Sequence, residues 1–117
     1  MKVAGARVSV PLYLTEHVRS LGTFGCLLAG QPWLSIAPRG DGQPVIVMPG
    51  LAAGDITTAP LRGFLRGLGY DAAGWGMGVN VGPTRKVLTG LTPMVEELAQ
   101  RSGQPVALVG WSLGGVY

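Results

Sequence analysis

Residues 110–114 read Gly-Trp-Ser-Leu-Gly, a G-x-S-x-G pattern that marks its central serine as a candidate nucleophile. A serine hydroxyl is a weak nucleophile near neutral pH and needs a neighbouring base. In a chain with 20 glycines the pattern arises easily by chance, so its context decides. The signature requires a buried strand before the serine and a helix after it, because the serine occupies a sharp turn between them. "QPVALVG" (104–110) supplies the apolar run and "SLGGVY" (112–117) opens a helix. Gly110 and Gly114 leave out side chains that would collide with the neighbouring strand and helix. These residues predict a nucleophile elbow, with Ser112 forming an acyl-enzyme in acyl transfer. The other account is an ordinary strand-to-helix turn with a capping serine.

Acyl transfer also needs donors for the oxyanion. The Leu113 N–H, at the start of the predicted helix, points toward that position, and a helix N-terminus favours negative charge. A second donor is expected from "MPGLAAGD" (48–55), the loop after the first apolar strand. Gly50 lets this backbone approach the reacting carbonyl, which makes Leu51 N–H the candidate. A simple turn into a helix is the alternative there. Trp75, Trp111 and Asn80, the last within "GMGVNVG" (76–82), are candidates to line an apolar acyl pocket. For the two tryptophans, core packing is the competing account.

Apolar residues make up 47% of the 117 residues and charged ones 13%, about half the usual charged share. Such a chain has little charge with which to cover an outer surface. The net charge of +3 comes largely from scattered arginines, with no basic block interleaved with aromatics, which argues against nucleic-acid binding. Arg62 and Arg66 read as a solvated helix face. The single cysteine, Cys26, excludes an internal disulfide and reads as a small buried hydrophobe. Residues 20–38 carry no charge, yet Gly22, Gly25, Gly30 and Pro32 interrupt a stretch that would need about 20 strongly apolar residues to span a membrane. Glu16, His17 and Arg19 fall where the apolar core of a signal peptide would lie. A cytoplasmic chain is expected, with peripheral membrane contact as an alternative.

The elements that must position Ser112 begin after Asp41-Gly42. Strands are predicted at 44–48, 71–76 and 105–110. "TTAPLRGFLRGLGY" (57–70) forms an amphipathic helix with Leu61, Phe64, Leu65 and Leu68 inside, capped by Thr57 or Thr58 and ended by Gly69. A helix within 81–103 carries Leu91, Met94, Val95 and Leu98 inside and Glu96, Glu97 and Arg101 outside. The alternation is β-α-β-α-β-α, so the fold class is α/β: a parallel sheet of about three strands with helices on both faces. Residues 1–42 form an N-terminal segment and connector. Leu14, Val18, Leu21 and Leu28 have helical spacing, favouring a helix over about 11–30; the alternation of Val8, Val10, Leu12 and Leu14 permits an edge strand instead.

The run "PVIVMPG…LRGFLRGLGYDAAGWGMG…VEELAQ…PVALVGWSLGG" resembles the α/β-hydrolase superfamily, particularly its lipase- and esterase-like members. The resemblance covers residues 43–117, which would be the N-terminal part of an α/β-hydrolase domain. It implies that 44–48, 71–76 and 105–110 match the family's strands three, four and five, and that the substrate is a small-molecule ester or lipid. It implies no cofactor and no metal. Pro49-Gly50 stands where many members have His-Gly, and residues 1–42 show no clear first and second strands. An acyltransferase of the same fold, or a non-enzymatic binding or assembly domain, is the alternative.

In family order the acid and the histidine follow the serine. Here Asp55, Asp71 and His17 all precede it. Asp55 is expected to help start a helix, Asp71 to end a turn, and His17 to lie on a helix surface. The resemblance thus implies a fragment that ends just after the elbow and is inactive by itself. Its last strand would lack a neighbour, a condition that favours aggregation or oligomerisation.

Overall fold

The structure is a computed structural model and describes residues 10–117. The chain divides between Ala37 and Pro38 into two compact units, ahead of the 42/43 boundary suggested by the sequence. The first holds one helix, α1 (Val10–Leu34). It extends beyond the expected 11–30 and runs through Pro32 in its last turn. Val8, and the side chains of Leu14, His17, Leu21 and Leu28, lie outside the described residues. Cys26 is exposed, not buried as the sequence suggests. Among the described residues of this unit no second element covers the helix. No helix among the described residues is long and apolar enough to cross a membrane.

The second unit is a parallel α/β sheet. Its elements run β1 (Pro44–Met48), α2 (Asp55–Gly67), β2 (Asp71–Gly74), α3 (Arg85–Ser102), β3 (Ala107–Gly110) and a 3₁₀ turn (Ser112–Gly115). The strand order is β2-β1-β3, with β1 in the centre and buried along its whole length. A strand buried on both faces is uniformly apolar, as "PVIVM" is. Successive β1 side chains point to opposite faces. Val45 and Val47 pack with Ala72, Leu61 and Leu65 on the α2 side. Ile46 and Met48 pack with Trp75, Val87, Leu91, Met94, Val95 and Leu98 on the α3 side. Val87 extends the predicted stripe of α3 by one turn. Thr84 caps that helix by accepting from the Val87 N–H at 3.4 Å, and Gly103, at φ 66°, ends it.

Both outer strands are shorter than expected. β2 stops at Gly74 rather than residue 76, because the Asp55 carboxylate takes the next two backbone donors, Trp75 N–H and Gly76 N–H, each at 3.0 Å. β3 starts at Ala107 rather than 105, opposite Val45. Pro105 has no N–H to give the ladder. α2 begins at Asp55 rather than 57, and neither threonine caps it. A carboxylate is favoured in a helix's first turn, and the Thr57 and Thr58 hydroxyls instead donate back to the Gly54 and Asp55 carbonyls at 2.8 and 3.1 Å. The arginines of α2 are not a freely solvated row. Arg62 is half-buried with Nη2 2.6 Å from the Asp55 carbonyl, and Arg66 Nε donates to the Ala72 carbonyl at 2.8 Å.

β3 is an edge strand. Leu108 and Val109 are 49% and 37% exposed, and the outer edge of β3 pairs with no other described strand. Such an edge templates pairing with other chains. The chain by itself is therefore expected to self-associate, and Val109→Lys to shift size-exclusion elution toward monomer. A monodisperse monomer before substitution would contradict this.

Candidate active site

The carboxyl end of the sheet brings the segments that follow β1 and β3 together. After β1 the chain leaves toward α2. After β3 it turns to the opposite face, where Tyr117 joins the α3-side cluster. Adjacent parallel strands whose continuations diverge in this way open a crevice at their carboxyl ends, the usual ligand position in open α/β sheets. Residues 49–53 and 111–112 follow β1 and β3 at that end of the sheet, with Gly50 against Trp111 and Ser112.

Ser112 sits in a strained turn. Its φ is +51°, in the left-handed region that costs a non-glycine residue about 1–2 kcal/mol. Close packing of backbone around it holds the turn. Trp111 N–H donates to the Met48 carbonyl at 3.0 Å, and Gly114 N–H donates to the Trp111 carbonyl at 2.9 Å. A Cβ on Gly114 would lie 2.6 Å from the Met48 oxygen and 2.7 Å from the Pro49 oxygen. One on Gly110 would overlap the backbone of Gly114 and Gly115. The hydroxyl-bearing residue is exposed. Ser112 itself begins a four-residue 3₁₀ turn in place of the expected α-helix, so a helix dipole adds little at the Leu113 N–H.

The loop after β1 packs directly on this turn. A Cβ on Gly50 would lie 3.1 Å from the Trp111 ring and 3.4 Å from Ser112 Cβ. Leu51 is 64% exposed. Among the described residues, neither Leu51 N–H nor Leu113 N–H donates a hydrogen bond. Ala52, at φ +58°, is the other non-glycine residue with positive φ in the described chain. Strain of this kind concentrates at functional sites. Nothing in the local sequence marks Ala52 for it.

Asn80 holds the loop. It is fully buried, with its Nδ2 donating to the Pro49 carbonyl at 2.8 Å. Its Oδ1 accepts from Tyr117 O–H at 2.7 Å and from Gly82 N–H at 3.1 Å. Its main chain pairs with Ala52 N–H and the Ala53 carbonyl at 2.7 and 2.8 Å. The carboxamide is thus spent inside the protein and does not face the crevice. Trp75 is likewise core: 1% exposed, with Nε1 donating to the Gly78 carbonyl at 2.9 Å and its ring 6.3 Å from that of Tyr117. Trp111, by contrast, is 69% exposed beside Ser112.

Ser112 Oγ makes no hydrogen bond among the described residues. Asp55 is committed to the Trp75 and Gly76 amides. Asp71 begins β2, at the end of the parallel sheet opposite the serine. His17 falls in α1, in the other unit. No group of three or more His, Cys, Asp or Glu suited to a metal ion occurs among the described residues. Comparison with family models, with curated proteins and with solved structures finds no match for this chain.

Proposed function

We propose that this chain carries the nucleophile and oxyanion half of a serine ester hydrolase of the α/β-hydrolase type, acting through an acyl-enzyme on Ser112. One observation carries the reading: Ser112 is exposed in a left-handed turn between two glycines that no side chain could replace, with Gly50 packed against it. A strand-to-helix turn that only needed a cap would not require this strain, since capping serines adopt ordinary extended backbone.

In the proposed reaction Ser112 Oγ attacks an ester carbonyl, and Leu51 and Leu113 N–H receive the developing oxyanion. The alcohol leaves with the proton that a general base took from the serine, and water or another acceptor then releases the acyl group. The choice between hydrolase and acyltransferase rests on that acceptor. The base is proposed to come from sequence beyond these residues. Exposed Leu51 and Trp111 favour an apolar substrate, an ester or a lipid.

A fluorophosphonate probe tests this in the protein that carries the chain together with its base. Labelling is expected on Ser112, and His17→Ala is expected to leave the labelling rate unchanged. No labelling of Ser112 would support a binding domain without catalysis. A drop on the order of 10²-fold with His17→Ala, typical of losing a general base, would make His17 that base.

A further inference from the structure

The two candidate oxyanion donors lie on segments far apart in sequence, and one side chain connects them. Asn80 bonds Pro49 at one end of its carboxamide and Tyr117 at the other. Its orientation is dictated by its partners: the Pro49 carbonyl can only accept, and Gly82 N–H can only donate. The main chain of Asn80 grips the same loop at Ala52 and Ala53. Leu51 thus lies between two anchored points, and Leu113 lies between Trp111, tied to Met48, and Tyr117, tied to Asn80.

We infer that Asn80 is a positioning residue that fixes the Leu51 and Leu113 N–H groups relative to each other across the crevice. The inference rests on the acyl-transfer reading of Ser112. Volume alone would be filled by leucine, at no cost in buried polar atoms. A fully buried carboxamide is costly unless it is bonded, and this one spends its bonds on both walls of the site. The loop it holds contains Ala52 in a strained conformation, which local preference does not maintain. Oxyanion donors act within a few tenths of an ångström, and a misplacement of about 1 Å can cost on the order of 10²-fold in rate.

The test uses the protein that carries this chain with its base, and reads kcat and KM per Ser112 titrated with fluorophosphonate. Asn80→Asp keeps the size and the Oδ1 acceptor but sets an oxygen against the Pro49 carbonyl. It is expected to lower kcat about 10²-fold and to leave KM within about twofold, because the donors engage the transition state more than bound ester. Tyr117→Phe keeps the ring beside Trp75 and removes only the hydroxyl. Asn80 Oδ1 keeps the Gly82 N–H, so this variant is expected to fold even where Asn80→Asp does not, and to lower kcat about threefold to tenfold, the weight of one buried hydrogen bond. A purely structural role would reduce the number of titratable sites and leave kcat per site unchanged; that result, in both variants or in Tyr117→Phe alone if Asn80→Asp does not fold, overturns the inference. If the unsubstituted protein shows no Ser112-dependent turnover, the hydrolase reading fails first, and the inference with it.

Discussion

Ser112→Ala is expected to abolish turnover of short p-nitrophenyl esters in the protein that supplies the base, lowering kcat by on the order of 10⁴-fold or more. Alanine keeps the Cβ and the positive φ of the elbow, so the turn and both N–H donors should persist. What is lost is the attacking oxygen. The residual rate should be that of binding and oxyanion stabilisation alone, which in serine hydrolases without a nucleophile still exceeds water. The decisive comparison is therefore between variant and parent on the same ester, rather than between variant and buffer. Full activity in Ser112→Ala would remove this serine from the mechanism and leave the strained turn without a catalytic explanation. The chain by itself, whose Ser112 Oγ bonds no described base, is expected to show no difference between the two.

Gly114→Ala is expected to cost about 3 kcal/mol of stability, at the upper end of overpacking penalties. The added methyl would lie 2.6 Å from the Met48 oxygen and 2.7 Å from the Pro49 oxygen. Both obstacles are backbone, and the Met48 carbonyl is also the acceptor for Trp111 N–H. Relief requires the 3₁₀ turn to lift off the end of β1, which breaks that bond and moves Ser112 away from Gly50. Against a typical stability of about 5–15 kcal/mol, the loss is large. Gly63→Ala supplies the contrast. It lies inside α2 with nothing within 4 Å of its added carbon, and alanine there should add about 0.5–1 kcal/mol. Urea unfolding below the concentration of self-association reads both. Equal midpoints for Gly114→Ala and the parent would show that the turn does not pack on β1 as described.

The pattern of elements was legible in the sequence because it is written in short-range periodicity. "PVIVM" reads as a buried strand since every residue is apolar or proline, and β1 occupies that span. Leu91, Met94, Val95 and Leu98 recur at helical spacing, and they pack on the α3 side of the sheet. The sharp turn at Ser112 is also expected from contiguous residues, because its flanking glycines leave room for close backbone, whereas the left-handed φ of the serine is not. Strand and helix ends were less legible, since they depend on which partner takes a backbone donor. Asp55 stands at the start of α2 in sequence, yet its carboxylate decides where β2 stops.

The clamp at the site was decided only by tertiary structure. Asn80 meets Pro49 across 31 positions and Tyr117 across 37, and nothing local to "GVNVG" distinguishes a buried clamp from a pocket side chain. The same holds for Trp75 and Trp111, both next to glycine in sequence, one buried in the core and the other exposed beside Ser112. Side-chain type and spacing set which chemistry a residue can do. Burial, and the hydrogen bonds it enforces on polar groups, exist only once the sheet has brought distant segments together.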